Sequence, residues 1–181
     1  KCRLQLATAA STAEKKYDLL IWGTIARYKG IFEFVDYIRT NKIDHLRICI
    51  VGGASETVFK DLKAICPDNI TLINQRPSFD ELADYINQSE FVLCPYAPET
   101  ILSSGMLMDS LSFGAKVIGP EVGSFKDYAS NLLLNVYTFK SFDDIAGIAQ
   151  RHKHDSVSLA NYRKFLEEND WTHYAQKLAT L

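Results

Sequence analysis

From residue 17 onward, short apolar runs that stop at glycine or asparagine alternate with longer segments whose apolar residues recur every three or four positions. No other feature of the chain limits its fold so strongly. YDLLIWG (17–23) and HLRICIVGG (45–53) are short and almost uniformly apolar, as strands covered on both faces should be. NITLIN (69–74), EFVLCPY (90–96), AKVIGP (115–120) and LLLNVYT (132–138) continue the series. Between them, KGIFEFVDYIRTN sets Ile31, Phe34, Val35 and Ile38 on one helical face. SETVFKDLKAI (55–65) is a helix with Ser55 as its cap, and SFDELADYINQS (78–89) opens on a capping box of Ser78 and Glu81. SSGMLMDSLSFG (103–114) is a further helix and FKDYAS (125–130) a helical turn, and helical segments near 141–152, 157–169 and 171–180 close the chain. Strand and helix in repeated alternation predict an α/β fold: a doubly wound, Rossmann-like parallel sheet of about six strands, with helices on both faces and at the C-terminus. The 181 residues suit one such domain, 1–181, although those before about 14 show no clear pattern.

Charge and cysteine usage narrow the function. A formal charge of −2 without a cluster of Lys and Arg speaks against a nucleic-acid partner, and RHKH (151–154) reads as a solvated helix end. Cys49 and Cys94 lie within apolar runs, no C-x-x-C pair occurs, and no metal-ligand spacing is present; a reducing, cytoplasmic compartment fits. No apolar run approaches the roughly 18 residues that span a bilayer, and no signal peptide is visible. The chain begins at Lys1 rather than Met, a hint that it was cut from a longer protein.

In an open parallel sheet, ligands bind beyond the carboxyl ends of the strands, so the loops there carry the chemistry. The loop after the fourth strand delivers Ser103, Ser104 and Gly105 to a helix N-terminus. Free N–H groups and the helix dipole attract an anion there; Gly105 lets a phosphate approach the backbone, and the serines offer hydroxyls or simply cap the helix. After the first strand, Lys29 precedes Gly30, with Arg27 two residues earlier. Each is either a solvent-facing charge or a phosphate ligand, and the two loops together favour a diphosphate site. Asp109, one turn into the fourth helix, is either part of its polar face or an acceptor for a ribose diol. VGGASE lacks the G-x-G-x-x-G fingerprint, so Gly52 and Gly53 read as turn glycines that leave room for a ligand. Neither a Ser–His–Asp set nor a G-x-S-x-G elbow occurs, and Trp171 reads as a packing anchor.

Taken in order, LLIWGTIARYKGIFEFVDYI, LRICIVGG, ITLINQRPSFDELADYINQSEFVLCPY and SSGMLMDSLSFGAKVIGPEVGSFKDY resemble the C-terminal, donor-binding domain of GT-B glycosyltransferases. The likeness is to the large retaining group that includes many bacterial polysaccharide enzymes, and it runs from about residue 17 to 178. It implies that Lys29 contacts the donor diphosphate, that Gly23 and Thr24 border it, and that Ser104 and Gly105 supply phosphate-binding backbone. The family arginine just after Gly23 is Thr24 here, which leaves Arg27 as a stand-in. Asp109 matches the acidic residue that holds the ribose, with a shorter reach than the commoner glutamate. The acidic residue that touches the donor sugar falls on Ile101, so Glu99, two positions earlier, is the nearest candidate. Asn74, Gln75 and Arg76 mark the region that seats the base.

The implied function is transfer of a sugar from a nucleotide-diphosphate sugar to an acceptor such as a growing polysaccharide or lipid-linked glycan. Lys29, Arg27 and Glu99 would be the catalytic residues, and neither a metal nor a further cofactor would be needed. A separate N-terminal domain would supply acceptor contacts and any attachment to the inner face of a membrane, so this fragment alone would turn over little. A sugar-nucleotide epimerase half-domain and a non-catalytic nucleotide-binding domain stay open beside this reading. An epimerase would call for further acid/base residues in the cleft, where no His or Glu pair is evident; the residues at Thr24, Ile101 and Asp109 keep the non-catalytic reading open.

Overall fold

A computed structural model describes residues 14–97, 104–169 and 171–179. Its strands are β1 (Tyr17–Trp22), β2 (Ile48–Val51), β3 (Ile70–Ile73), β4 (Ser89–Leu93), β5 (Val117–Pro120) and β6 (Val136–Phe139). All pair in parallel, in the order β3-β2-β1-β4-β5-β6. The helices are α1 (Ile31–Thr40), α2 (Glu56–Ile65), α3 (Phe79–Asn87), α4 (Gly105–Ser112), α5 (Gly123–Ala129), α6 (Asp143–His152), α7 (Leu159–Glu168) and α8 (Trp171–Ala179). This is the doubly wound α/β architecture that the alternating periods predict.

Successive strand residues point to opposite faces, so each uniformly apolar strand feeds two cores. Leu19 and Ile21 join Ile48 and Ile50 beneath α1, α2 and α6, where Phe34, Val35, Leu62 and Ile148 pack. Leu20, Cys49 and Val51 face the other way, against Leu82 of α3, Leu107 and Leu111 of α4, Phe125 of α5 and Phe165 of α7. Helix starts follow the caps read from sequence. The Ser55 hydroxyl accepts from Val58 N–H. Glu81 N–H donates to Ser78 Oγ at 3.3 Å while Ser78 N–H donates to Glu81 Oε2 at 2.7 Å.

One expectation needs correction, and one element was not anticipated. The sixth strand begins at Val136 rather than residue 132. Asn131 captures Leu133 N–H with its side chain and Leu134 N–H with its carbonyl, which turns the chain and leaves Leu132 97% exposed. Leucine content suggested a strand, but a turn-forming asparagine prevailed. A short 3₁₀ turn at Arg27–Lys29, which no periodicity announced, precedes α1.

The amino end of the sheet is closed by polar fastenings. Buried Lys116 pairs with Glu90 and donates to the carbonyls of His152 (3.1 Å) and Lys153 (2.6 Å), tying the end of α6 under the sheet. The Tyr162 hydroxyl donates to the Ala115 carbonyl and accepts from Asn135 N–H, both at 2.9 Å, and so pins α7. Such fully used donors hold the frame and leave the opposite, carboxyl end free for loops. No helix among the described residues is long and apolar enough to cross a membrane.

Candidate functional site

The strand order reverses between β1 and β4, because β2 and β3 extend from one side of β1 and β5 and β6 from the far side of β4. Loops leaving the two central strands must therefore diverge, and a crevice opens between them. It has a volume of about 530 Å³. Gly23, Thr24, Tyr28 and Lys29 line it from the loop after β1, and Ser104, Gly105, Met106 and Asp109 from α4. Gly53, Arg76 and Pro77 border it from the loops after β2 and β3. Lys29 and Gly105, chosen from opposite halves of the sequence, thus face one space.

Close backbone approaches set this shape. Gly30 takes a left-handed φ of 71°, and a Cβ on it would lie 1.9 Å from the Pro95 carbonyl oxygen. Glycine therefore lets the Lys29 turn press against the chain leaving β4. A Cβ on Gly52 would lie 1.6 Å from the Gly23 carbonyl oxygen. Gly52 and Gly53 both line the crevice, as turn glycines that leave room for a ligand should, and the Gly23 carbonyl is what requires glycine at 52. Asn74, expected near the base, braces the loop after β2 instead. Its Oδ1 accepts from Ala54 N–H at 2.9 Å, and its Nδ2 donates to the Ala54 carbonyl at 3.4 Å. Gln75 donates to Glu81 at 3.0 Å. Of that trio only Arg76 lines the crevice, its side chain lying over Gly53.

At the start of α4, the Ser104 hydroxyl accepts from Leu107 N–H at 3.2 Å and meets the Tyr96 hydroxyl at 3.2 Å. The capping role is therefore filled, while the N–H groups of Gly105 and Met106, in the first turn, have no acceptor within the helix. A Cβ on Gly105 would meet nothing within 4 Å. Open, donor-bearing helix starts of this kind favour anions. Trp22 Nε1–H donates to Ser110 Oγ at 3.0 Å and locks α4 against the end of β1. Burial raises the Tyr96 hydroxyl pKa to about 12, so it stays neutral and can donate to Ser104.

Among the described residues, Lys29 and Asp109 in the crevice have no charged partner. Lys29 has no ion-pair or hydrogen-bonding side-chain partner among the described residues, and burial lowers its ammonium pKa below the usual lysine value. Its Nζ lies 3.7 Å from where a Gly23 Cβ would stand. Burial likewise raises the Asp109 carboxyl above its usual value, again with no side-chain partner among the described residues. A cation and an anion are thus held half out of water, each awaiting something else.

Arg27 does not join them. It pairs with exposed Asp61 at 2.6 Å and lies over the Phe32 ring at 4.4 Å, outside the crevice lining. A nearby carboxylate and a ring face, both invisible to a reading of one loop, account for its position. Ser103 and Glu99 lie outside the described residues, as does Ile101. Sequence reading overlooked Trp22, Tyr28 and Tyr96; an aromatic directly before Gly23, and another directly before Lys29, were the available signals. No group of three or more His, Cys, Asp or Glu that could hold a metal occurs among the described residues.

Solved structures share this fold over nearly the whole chain. The C-terminal domain of a group 1 family glycosyltransferase, LpcC from Francisella tularensis, is 17% identical. It matches 83% of this chain and 85% of its own, with a TM-score of 0.55. The fold is that of a glycosyltransferase domain. AviGT4, a glycosyltransferase of avilamycin A biosynthesis, is 17% identical over 90% of this chain and 49% of its own, at a TM-score of 0.59. The catalytic domain of starch synthase IV from Arabidopsis thaliana, solved with ADP and acarbose, is 15% identical over 98% of this chain and 39% of its own, at 0.63. The chain thus spans about half the length of AviGT4. No family model and no curated protein sequence matches it. The expectation of a GT-B C-terminal domain holds at the level of fold.

Proposed function

We propose that this domain is the donor-binding half of a glycosyltransferase and seats a nucleotide-diphosphate sugar in the crevice between β1 and β4. The observation that carries the reading is the convergence of Lys29, unpaired among the described residues, with the open N-terminus of α4 at Gly105. A diphosphate would satisfy both, and its ribose hydroxyls would satisfy Asp109 one turn along the same helix. Charge that develops on the diphosphate as the sugar departs would be met by the Lys29 ammonium and the helix dipole, both fixed before reaction. Sugar acceptor, and any domain that presents it, lie beyond this chain's crevice in the proposal. The corresponding experiment is calorimetric titration of UDP, GDP, ADP and their sugars into the 181-residue chain and its Lys29→Ala variant. A nucleotide that binds the parent and loses at least tenfold in affinity to the variant supports the reading; failure of all of them to bind refutes it.

A second reading, nucleotide binding without transfer, is favoured by one observation. Arg27, the stand-in for the family arginine, is committed to Asp61, so Lys29 is the one cation of that loop that lines the crevice. Sugar transfer by the full-length protein, measured beside the same titrations, separates the two.

A further inference from the structure

Trp22 is the last residue of β1, on the strand pair where the sheet order reverses. Its indole is held on one side and open on the other. The N–H donates to Ser110 Oγ at 3.0 Å, and Ser110 is fully buried. The ring packs against the apolar cluster under α4 yet remains only partly buried and lines the crevice. A tryptophan that served packing alone would place both its ring and its N–H out of water. Here the polar atom is spent on the protein, so only a π surface is offered to whatever enters.

That surface shares the crevice with Asp109, which follows Gly105 by four residues on α4 and precedes Ser110, and with Arg76 and Pro77. A phosphate gains little from it, since the ring's one donor is already used. A flat, weakly polar group gains more, through stacking or edge contact. We propose that Trp22 forms the floor of a nucleoside subsite, touching the base or ribose of a ligand whose phosphates lie at Lys29 and Gly105. This rests on the reading of the crevice as a nucleotide-diphosphate site. The hydrogen bond to Ser110 makes the floor rigid: the indole cannot swing away without leaving a buried hydroxyl unmatched.

The chain contains two tryptophans, Trp22 and Trp171. In Trp171→Phe, the emission therefore reports Trp22 alone. UDP, GDP, ADP and inorganic pyrophosphate are titrated into this variant by fluorescence and calorimetry, and the affinities are measured again in Trp22→Val and Trp22→Phe on the parent chain. The expected result is a change of Trp22 emission with the nucleotide that binds. Its affinity falls about 5- to 150-fold in Trp22→Val, the range of base–aromatic stacking. Pyrophosphate affinity stays within twofold, and Trp22→Phe, which keeps a ring, loses less. Unchanged emission on calorimetrically proven nucleotide binding overturns the floor and leaves the diphosphate site intact, as does an equal loss for nucleotide and pyrophosphate. Absence of nucleotide binding to the parent chain overturns both. If Trp22→Val does not fold, the emission of intact Trp22 and the Trp22→Phe affinities decide.

Discussion

Gly105→Ala separates what the fold needs from what the crevice needs. Gly105 is the first residue of α4, its φ lies outside the left-handed region, and an added Cβ meets nothing within 4 Å. Alanine at such a position restricts the unfolded chain and favours the helix, which stabilises by about 0.4–1 kcal/mol. In a chain of this length that raises Tm by roughly 1–4 °C. The same methyl group occupies space through which an anion would reach the first-turn N–H groups. Losing one hydrogen bond to a charged group costs about 1.5–3 kcal/mol, or about 10- to 150-fold in Kd. Thermal denaturation and calorimetry on parent and variant, with whichever of UDP, GDP or ADP binds the parent, measure both quantities. The expected pattern is a higher Tm without ligand and weaker binding. A variant with raised Tm and unchanged Kd would place the phosphate elsewhere and refute the role given to the α4 N-terminus.

Gly30→Ala has the opposite sign. Its left-handed φ and the 1.9 Å approach to the Pro95 oxygen predict a loss of about 2–5 kcal/mol, a fall in Tm of roughly 4–20 °C, and weaker nucleotide binding as the Lys29 turn is pushed out. Lys29→Met should melt no lower than the parent at pH 7. The lowered pKa means that the folded state disfavours the ammonium; that cost applies below the lowered pKa and fades as pH rises toward 10.5, so melts from pH 7 to 10 should converge. Asp109→Asn should likewise gain stability at pH 7, because a raised carboxyl pKa makes the carboxylate a cost above it, and the gain should shrink as pH falls toward 3.8. Lys116→Met strands the largely buried Glu90 carboxylate and should lose about 3–5 kcal/mol in denaturant titration while nucleotide Kd stays unchanged, since the pair lies at the far end of the sheet.

The fold was legible because its two periods are clean. Strands buried on both faces must be apolar throughout, and capped amphipathic helices must lie between them; Ser55 and Ser78 announced two helix starts that the structure keeps. The sixth strand was misplaced because three leucines outweighed the asparagine that turns them out. In the site, residues fixed by their own loop were found: Lys29, Gly105, Asp109 and Arg76 meet in the crevice. Positions set by contacts between loops were not. Arg27 is drawn off by Asp61, thirty-four residues away, and Asn74 by Ala54. A single sequence carries each loop's own chemistry but not which distant carboxylate or carbonyl will compete for it.

The same competition gives the crevice its meaning. Elsewhere, half-buried charges are met: Asp18 by Arg47, Glu90 by Lys116, Lys15 by the carbonyl of Asn87. Among the described residues Lys29 and Asp109 are not, although each is partly desolvated, and stability alone would remove both. A free anion would relieve only the lysine and a simple polyol only the aspartate. One ligand relieves both if it carries an anion at one end and hydroxyls about 6 Å further along the helix, the rise of the four residues from Gly105 to Asp109. A nucleoside diphosphate is built that way and pyrophosphate is not. Nucleotide affinity should therefore respond to Lys29→Met and to Asp109→Asn, and pyrophosphate affinity to the first alone. Equal sensitivity of both ligands to Asp109→Asn would mean that the carboxylate acts by shaping the helix rather than by holding a diol.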